Sequence, residues 1–126
     1  AAEALVAGAG NLIVRLGPMY GDGLDKGVLI DMRDDRPVYV DGESRYGFAP
    51  LEWVAAWIVE NLDRSGVVEV TGRDAPPLRE VAAAVGSRSS FDGHVDHQEA
   101  EPPLPGAPPA ADAIDWLDRA RAGVAG

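Results

Sequence analysis

The run Leu12-Ile13-Val14-Arg15-Leu16 places four apolar residues in five directly before Gly17-Pro18. A short apolar run bounded by Gly and Pro reads as a strand of the parallel type, buried on both faces. Such a strand cannot stand alone. It needs hydrogen-bonded neighbours on either side and covering elements above and below. Candidate partners in the chain are few and short: Pro37-Val38-Tyr39-Val40, turned by Asp41-Gly42, and Val67-Val68-Glu69-Val70-Thr71. Either these strands pair in an unusual way, or the missing neighbours lie upstream of Ala1. Closure favours the second alternative. So does the opening of the chain, which lacks an initiator Met and reads like the middle of a helix.

Around that strand the pattern is helical. Ala1 to Ala9 is Ala-rich and uncapped, so a helix already under way is expected, stopped by Gly8-Ala9-Gly10-Asn11. Gly21-Asp22-Gly23-Leu24 reads as a loop. Lys26 to Asp35, with Val28, Leu29, Ile30 and Met32, reads as a short helix. Pro50 stands at a favourable first helical position. Behind it Leu51, Val54, Ala55, Ile58 and Leu62 recur at helical spacing, and Trp53 and Trp57 widen the apolar face into a core or an interface. Pro76-Pro77 opens a further helix with Leu78, Val81, Ala82 and Val85 inward and Gly86 as its stop. Glu101 to Pro109 holds five prolines, too many for a helix or a central strand. Ala110 to Ala122 closes the chain as an amphipathic helix with Ile114, Leu117 and Ala120 on one side. The expected class is α/β, with few strands and flanking helices. Residues 1–86 carry the β-α units, residues 87–109 a polar and Pro-rich strap, and residues 110–126 the last helix.

Charge and composition narrow the function. Eleven basic against 21 acidic residues leave a net charge of −10 over 126 residues. Nucleic acid is excluded as a partner, because its binding rests on Lys and Arg neutralising phosphates. An anionic membrane surface is disfavoured for the same reason, and no apolar run approaches the ~20 residues of a membrane span. The chain has no Cys, so it offers no disulfide framework, thiolate zinc site or cysteine nucleophile. No basic-then-apolar signal segment opens it, and a cytoplasmic location is expected.

One ordered set of segments is specific. Arg15-Leu16-Gly17-Pro18-Met19-Tyr20-Gly21 resembles the Arg-Pro-Gly-Asn-Val-Tyr-Gly type segment of the extended short-chain dehydrogenases/reductases, the NAD-dependent epimerase/dehydratase family. Gly21-Asp22-Gly23-Leu24-Asp25-Lys26-Gly27 is similar to the loop entering that family's substrate-binding region. Ser44-Arg45-Tyr46-Gly47-Phe48-Ala49-Pro50-Leu51 precedes a long helix, as the family's aromatic segment does. Val68-Glu69-Val70-Thr71-Gly72 followed by Leu78-Arg79-Glu80-Val81-Ala82 resembles its strand-loop-helix ending in Glu-Leu-Ala. The resemblance covers about residues 1–86. It implies a C-terminal fragment of a Rossmann-type protein, with Ala1-Ala2-Glu3-Ala4-Leu5 continuing the helix that carries the catalytic Tyr-x-x-x-Lys. On that resemblance the chain lacks this motif and the Gly-rich phosphate loop, and is inactive alone. Its partner is the missing N-terminal Rossmann half or another copy of the chain.

The same resemblance implies roles for named residues. Leu16, Gly17, Pro18 and Met19 face the nicotinamide end of NAD or NADP, and Met19 and Tyr20 border a small-molecule substrate, a carbonyl compound or sugar-like. This agrees with the rule that ligands in α/β sheets bind beyond the carboxyl ends of the strands. A plain strand-ending turn is the alternative. Arg45 is a candidate for an anionic substrate group, since Arg binds phosphate or carboxylate bidentately. The competing reading is a solvated charge beside Glu43. Three positions depart from the family pattern. Pro18 stands where many nucleotide-sugar members carry Asn. Tyr46 occupies the position of a usual Arg. Glu52-Trp53 stands where an Asp usually begins the helix. These departures weigh against a nucleotide-sugar substrate.

Other signals carry less. Gly8-Ala9-Gly10 precedes a strand instead of following one, so it is no dinucleotide loop. His94-Val95-Asp96-His97, with Asp92 and Glu99 nearby, has zinc-ligand residue types, but Gly93 argues against the helix that would align both imidazoles; no metal is expected. Pro102-Pro103-Leu104-Pro105 reads as a spacer. The alternative function is a non-catalytic acidic α/β module that binds partners through Trp53, Trp57 and the Arg45 region.

Overall fold

The computed structural model describes residues 2–7, 11–100 and 102–125. Its central sheet has three strands: β1 (Ala2–Ala7), β2 (Asn11–Leu16) and β5 (Gly66–Val70), in the order β1-β2-β5. β2 is the apolar run that anchors the sequence pattern, and it is paired on both sides. β5 runs parallel to it, with Ile13 opposite Val67 and Leu16 opposite Val70. β1 runs antiparallel to it, with Ala4 opposite Val14.

The β1 assignment corrects the helix expected over Ala1 to Ala9. A helix that short is marginal in water. As a strand, the same segment pairs with an edge of β2 that would otherwise leave backbone groups without a sheet partner. Gly8, Ala9 and Gly10, the expected helix stop, lie outside the described residues.

Two further strands, β3 (Met19–Tyr20) and β4 (Ala49–Pro50), form a small parallel pair. The helices are α1 (Val28–Arg33), α2 (Leu51–Glu60), α3 (Leu78–Val85) and α4 (Ala110–Ala125). The strand expected at Pro37 to Val40 reduces to one bridge, Val38 to Phe91. Val38 is buried there, giving its N–H to Ser90 and accepting from Asp92. The segment stays alongside past the bridge, with the Asp41 N–H donating to the His94 carbonyl at 2.9 Å and Gly93, at φ +143°, packed so closely that a Cβ there would overlap the Tyr39 carbonyl oxygen.

Alternation along β2 and β5 separates two faces. Leu12, Val14 and Val70 are fully buried against α2, where Val54, Trp53, Trp57 and Ile58 meet them. Arg15, Val67 and Glu69 point the other way and are exposed, with Ile13 between. Among the described residues β2 is therefore covered on one face, where burial on both was expected. α2 turns Leu51 and Ala55 to solvent, and Leu62 lies beyond its end, so only part of the predicted apolar face is inward.

A second core lies away from the sheet. Leu29 and Met32 of α1, Leu78, Val81 and Val85 of α3, and Ala113 and Leu117 of α4 close around Tyr46 and Phe48. α3 places inward the four residues its spacing marks, and Gly86 ends it in the left-handed conformation at φ +71°. Among the described residues no helix is long and apolar enough to cross a membrane.

Candidate functional site

Because β2 and β5 are parallel, their carboxyl ends lie side by side, and Gly17 and Thr71 follow them. The Gly17 N–H extends the pairing by donating to the Val70 carbonyl at 3.2 Å. The next carbonyl, that of Pro18, accepts from the Ala49 N–H at 3.0 Å, which ties the turn to β4. The turn Leu16–Met19 is thus held by backbone bonds on both sides, and the Pro ring restricts it further.

Glycine at 17 follows from the packing. A Cβ there would come 2.7 Å from Thr71 Cγ2. Gly72 donates to the Gly47 carbonyl at 2.8 Å, and a Cβ on Gly72 would overlap the Phe48 carbonyl oxygen. Three backbone segments therefore cross at Thr71, which is buried. Its hydroxyl donates to the Gly72 carbonyl and accepts from the Ala100 N–H, both at 3.2 Å.

A recess of about 160 Å³ opens on this crossing, lined by Arg15, Gly17, Glu69, Thr71 and residues 96–99. Residues 96–99 belong to the strap and reach it through a pair of backbone bonds. Gln98 N–H donates to the Arg45 carbonyl, and Gly47 N–H donates to the Gln98 carbonyl, each at 2.8 Å. Tyr46 Oη donates to Asp96 Oδ2 at 2.7 Å, and Gln98 Nε2 donates to the same oxygen at 3.0 Å. The Tyr46 bond, seconded by Gln98, holds the Asp96 carboxyl below its ordinary range. Burial first, and then Asp96, raises the Tyr46 hydroxyl. Arg45 N–H donates to His97 Nδ1 at 3.1 Å, so that nitrogen is unprotonated in this arrangement.

A larger groove of about 690 Å³ lies on the other side of the turn. Tyr20, the loop 21–24, the start of α2 and the outer side of α4 at Trp116 and Arg119 line it. Tyr20 is buried, 5.8 Å ring to ring from Trp116. Burial pushes its hydroxyl up to about 12, with Asp112 adding to the rise and Arg119 opposing it. Tyr20 is therefore protonated at neutral pH. It can donate a hydrogen bond but cannot serve as a base.

The residues singled out in the sequence are divided between these places. Gly17 lines the recess and Tyr20 the groove. Leu16 and Met19 pack half-buried against the sheet core, and Pro18 is half-buried in the turn between the two cavities. Arg45 is exposed and lines neither cavity, although its backbone holds the strap that walls the recess. Thr71, Gln98, Trp116 and Arg119 were not marked as site residues by the sequence. Thr71 had one available signal, its place as the last residue of a predicted strand. The other three reach the cavities only through long-range packing.

No family model matches the chain, and no curated protein sequence matches it. Solved structures do. A UDP-N-acetylglucosamine 4-epimerase from Methanobrevibacter ruminantium M1, in complex with UDP-N-acetylmuramic acid, superposes with a TM-score of 0.64 over 88% of this chain and 44% of that one, at 13% identity. A UDP-galactose 4-epimerase gives 0.53, covering 90% and 45%, at 20% identity. A UDP-N-acetylglucosamine 4-epimerase from Bacillus cereus gives 0.52, covering 90% and 43%, at 15% identity. The chain has part of an epimerase-type α/β fold. It spans less than half the length of each of these structures. At these identities the likeness is one of fold, and α/β with few strands and flanking helices is the fold class.

Proposed function

We propose that the chain forms the substrate-side part of an NAD(P)-dependent oxidoreductase, epimerase or dehydratase acting on a carbonyl or sugar-like substrate. The observation that carries this is the recess at Gly17, beyond the carboxyl ends of two parallel strands, where ligands of α/β sheets bind. Similarity of fold to three sugar-nucleotide epimerases supports it.

The recess is compatible with one end of a nicotinamide cofactor. At about 160 Å³ it falls below the roughly 300–1,000 Å³ of a whole small-molecule site, so it suits a ring-sized group and leaves the rest of a dinucleotide outside. Gly17 offers a wall without a side chain and Gln98 a side-chain amide beside it, while Thr71, its hydroxyl proton already given to the Gly72 carbonyl, offers only an acceptor lone pair. These three would hold the group, which when bound supplies hydride transfer. The Gly17 N–H and the Pro18 carbonyl are already bonded within the fold, so these two groups serve rigidity. Tyr20 stays protonated on the groove side and can orient a substrate oxygen there. In this proposal the Gly-rich phosphate loop and the Tyr-x-x-x-Lys pair belong to the remainder of the enzyme.

Two measurements test the proposal. The reading frame upstream of Ala1 is expected to encode a strand–Gly-rich–helix unit and a Tyr-x-x-x-Lys motif, and their absence sinks it. On the protein that carries those upstream units as well, NADH added at millimolar concentration should shift the amide resonances of Gly17, Thr71 and Gln98. Gln98→Ala should reduce those shifts. Unmoved resonances at all three would count decisively against a cofactor-facing turn.

A further inference from the structure

The groove beside Tyr20 presents polar groups that the fold leaves unused. Tyr20 is 5% exposed, and among the described residues its hydroxyl has no hydrogen-bond partner. No side-chain oxygen of a buried described residue is both sealed from solvent and unpaired. The hydroxyl therefore opens on the groove that its ring lines. A donor left open at the bottom of a concave site is a place where a ligand atom gains a hydrogen bond. The charges around it are also unanswered. Arg119 of α4 and Glu52 in the first turn of α2 both line the groove, and neither has an ion-pair partner among the described residues. Opposite charges thus share one cavity without reaching each other. The groove's other cation, Arg33, is already held by Asp34 through bonds at 2.9 and 3.0 Å. Its other carboxylate, Asp22, takes the Trp116 indole N–H at a long 3.4 Å.

We propose that the groove binds a zwitterion of the amino-acid class, its carboxylate on Arg119 and the Tyr20 hydroxyl, its ammonium on Glu52 and Asp22, and its apolar side chain against Trp116 and Leu51. Residues 112, 116 and 119 share one face of α4, and Tyr20 feels both Asp112 and Arg119. The hydroxyl, the guanidinium and the indole therefore stand together on one side of the groove. A guanidinium receives a carboxylate through two parallel bonds. Arg45, the cation expected for an anionic group, lines neither cavity, and Arg119 stands in that role. Charge selects among ligands. A phosphate or diphosphate would bring several negative charges to one free guanidinium beside Asp22, Glu52 and Asp112. A simple cation would leave Arg119 and the Tyr20 hydroxyl unanswered. A zwitterion answers every open group at once. The volume of about 690 Å³ falls within the roughly 300–1,000 Å³ of small-molecule sites.

This names what the substrate carries, and rests on the proposed function for the groove as the substrate side. The two tests fail separately, because NADH reads the recess and the groove is read without cofactor. L-phenylalanine is the probe, titrated into the protein translated from the whole reading frame while the indole N–H resonance of Trp116 is followed. Phenylpropionate is the same molecule without the ammonium, and phenethylamine the same without the carboxylate. Phenylalanine should saturate within tens of millimolar and bind at least about fivefold tighter than either. Arg119→Gln should weaken phenylalanine and phenylpropionate by about fivefold or more and leave phenethylamine unchanged. Glu52→Gln should weaken phenylalanine and phenethylamine and leave phenylpropionate unchanged. Both residues are exposed, so these variants keep the fold, which circular dichroism checks. Tyr20→Phe loses only the open hydroxyl and should weaken the two carboxylates. A Trp116 resonance that shows no saturable shift overturns the proposal, and a groove filled by the rest of the protein would give that result. Equal affinity for the three probes overturns it too, as do affinities indifferent to Arg119 and Glu52. Phenyl phosphate binding tighter than phenylalanine would assign the groove to a phosphate instead.

Discussion

Thr71 Cγ2 fills the space that a side chain on Gly17 would need, 2.7 Å from where its Cβ would stand. The relationship predicts a paired effect. Gly17→Ala overpacks the crossing and should lower stability by about 1–3 kcal/mol in urea titration. Thr71→Ser removes the γ-methyl and keeps the hydroxyl bonds to Gly72 and Ala100. Combined with Gly17→Ala it should recover much of the loss, giving a double-mutant coupling of roughly 0.5–3 kcal/mol. Additive effects would mean that the two residues do not share this space.

Tyr46 and Asp96 hold the strap against the segment that leads into β4. Removing the hydroxyl by Tyr46→Phe should cost about 1–3 kcal/mol, because one partner of the half-buried carboxylate is lost. The pH dependence has a definite sign. Asp96 is held below its ordinary value by the Tyr46 bond first and Gln98 second, and Asp35 by the Arg88 N–H first and Arg121 second. A carboxyl lowered in the folded state binds its proton more readily when unfolded. The stability it contributes is complete above the ordinary value near 3.9 and is lost as pH falls through the lowered folded value. Thermal melts from pH 6 down to pH 2 should therefore show a fall concentrated below about pH 4. Asp96→Asn should make that fall shallower, and an unchanged slope would show that Asp96 is not among its causes.

How much of this was legible beforehand differs by element. α3 could be read outright, because Leu78, Val81, Ala82 and Val85 repeat at helical spacing and Gly86 ends them. The β2 strand and its parallel partner β5 could be read from apolar runs. The antiparallel pairing of Ala2–Ala7 could not, since Ala-rich composition favours a helix and only the open edge of β2 overrides it. At the site, Gly17 and Tyr20 were marked by a local segment. The walls opposite them come from Gln98 and Trp116, which lie 81 and 96 residues further along. Neither lies within reach of a local pattern. The contacts that place them are single backbone bridges and a helix-to-loop packing.

Tyr20 should be visible in an alkaline titration. Burial raises its hydroxyl to about 12, against about 10 for a free tyrosine. A raised value means that the folded state retains the proton the unfolded chain releases. The stability this contributes is complete below pH 10 and is lost as pH rises from there toward 12. Absorbance at 295 nm followed on the native chain should show the part of the tyrosine signal that titrates near 12 reduced in Tyr20→Phe, while the part at still higher pH, which belongs to Tyr46, is kept. If the signal lost in that variant is one that titrates near 10, Tyr20 is solvated and the groove is not as described.

Arg121 makes the last case, because one side chain closes two helices. Its Nη1 donates to the Met32 carbonyl at 2.9 Å, the Arg33 carbonyl at 3.1 Å and Asp35 Oδ1 at 2.9 Å. Its Nη2 donates to the Gly86 carbonyl at 3.1 Å. The guanidinium of α4 thus binds the carboxyl ends of α1 and α3 together, where carbonyls lack helical partners and the helix dipole favours a cation. Asp35 sits at φ +56°, a conformation uncommon for a side-chain-bearing residue, and is fixed there by this bond and by the Arg88 N–H. Arg121→Met keeps the apolar stem and loses the fork, and should cost about 2 kcal/mol. Arg121→Lys should recover only part of that, because an ammonium on a flexible stem cannot reach both helix ends as the planar fork does. Full recovery by Lys would show that charge alone matters at this junction. Hydrogen exchange gives the local readout: amides at the ends of α1 and α3 should lose protection together in Arg121→Met, ahead of those in β2.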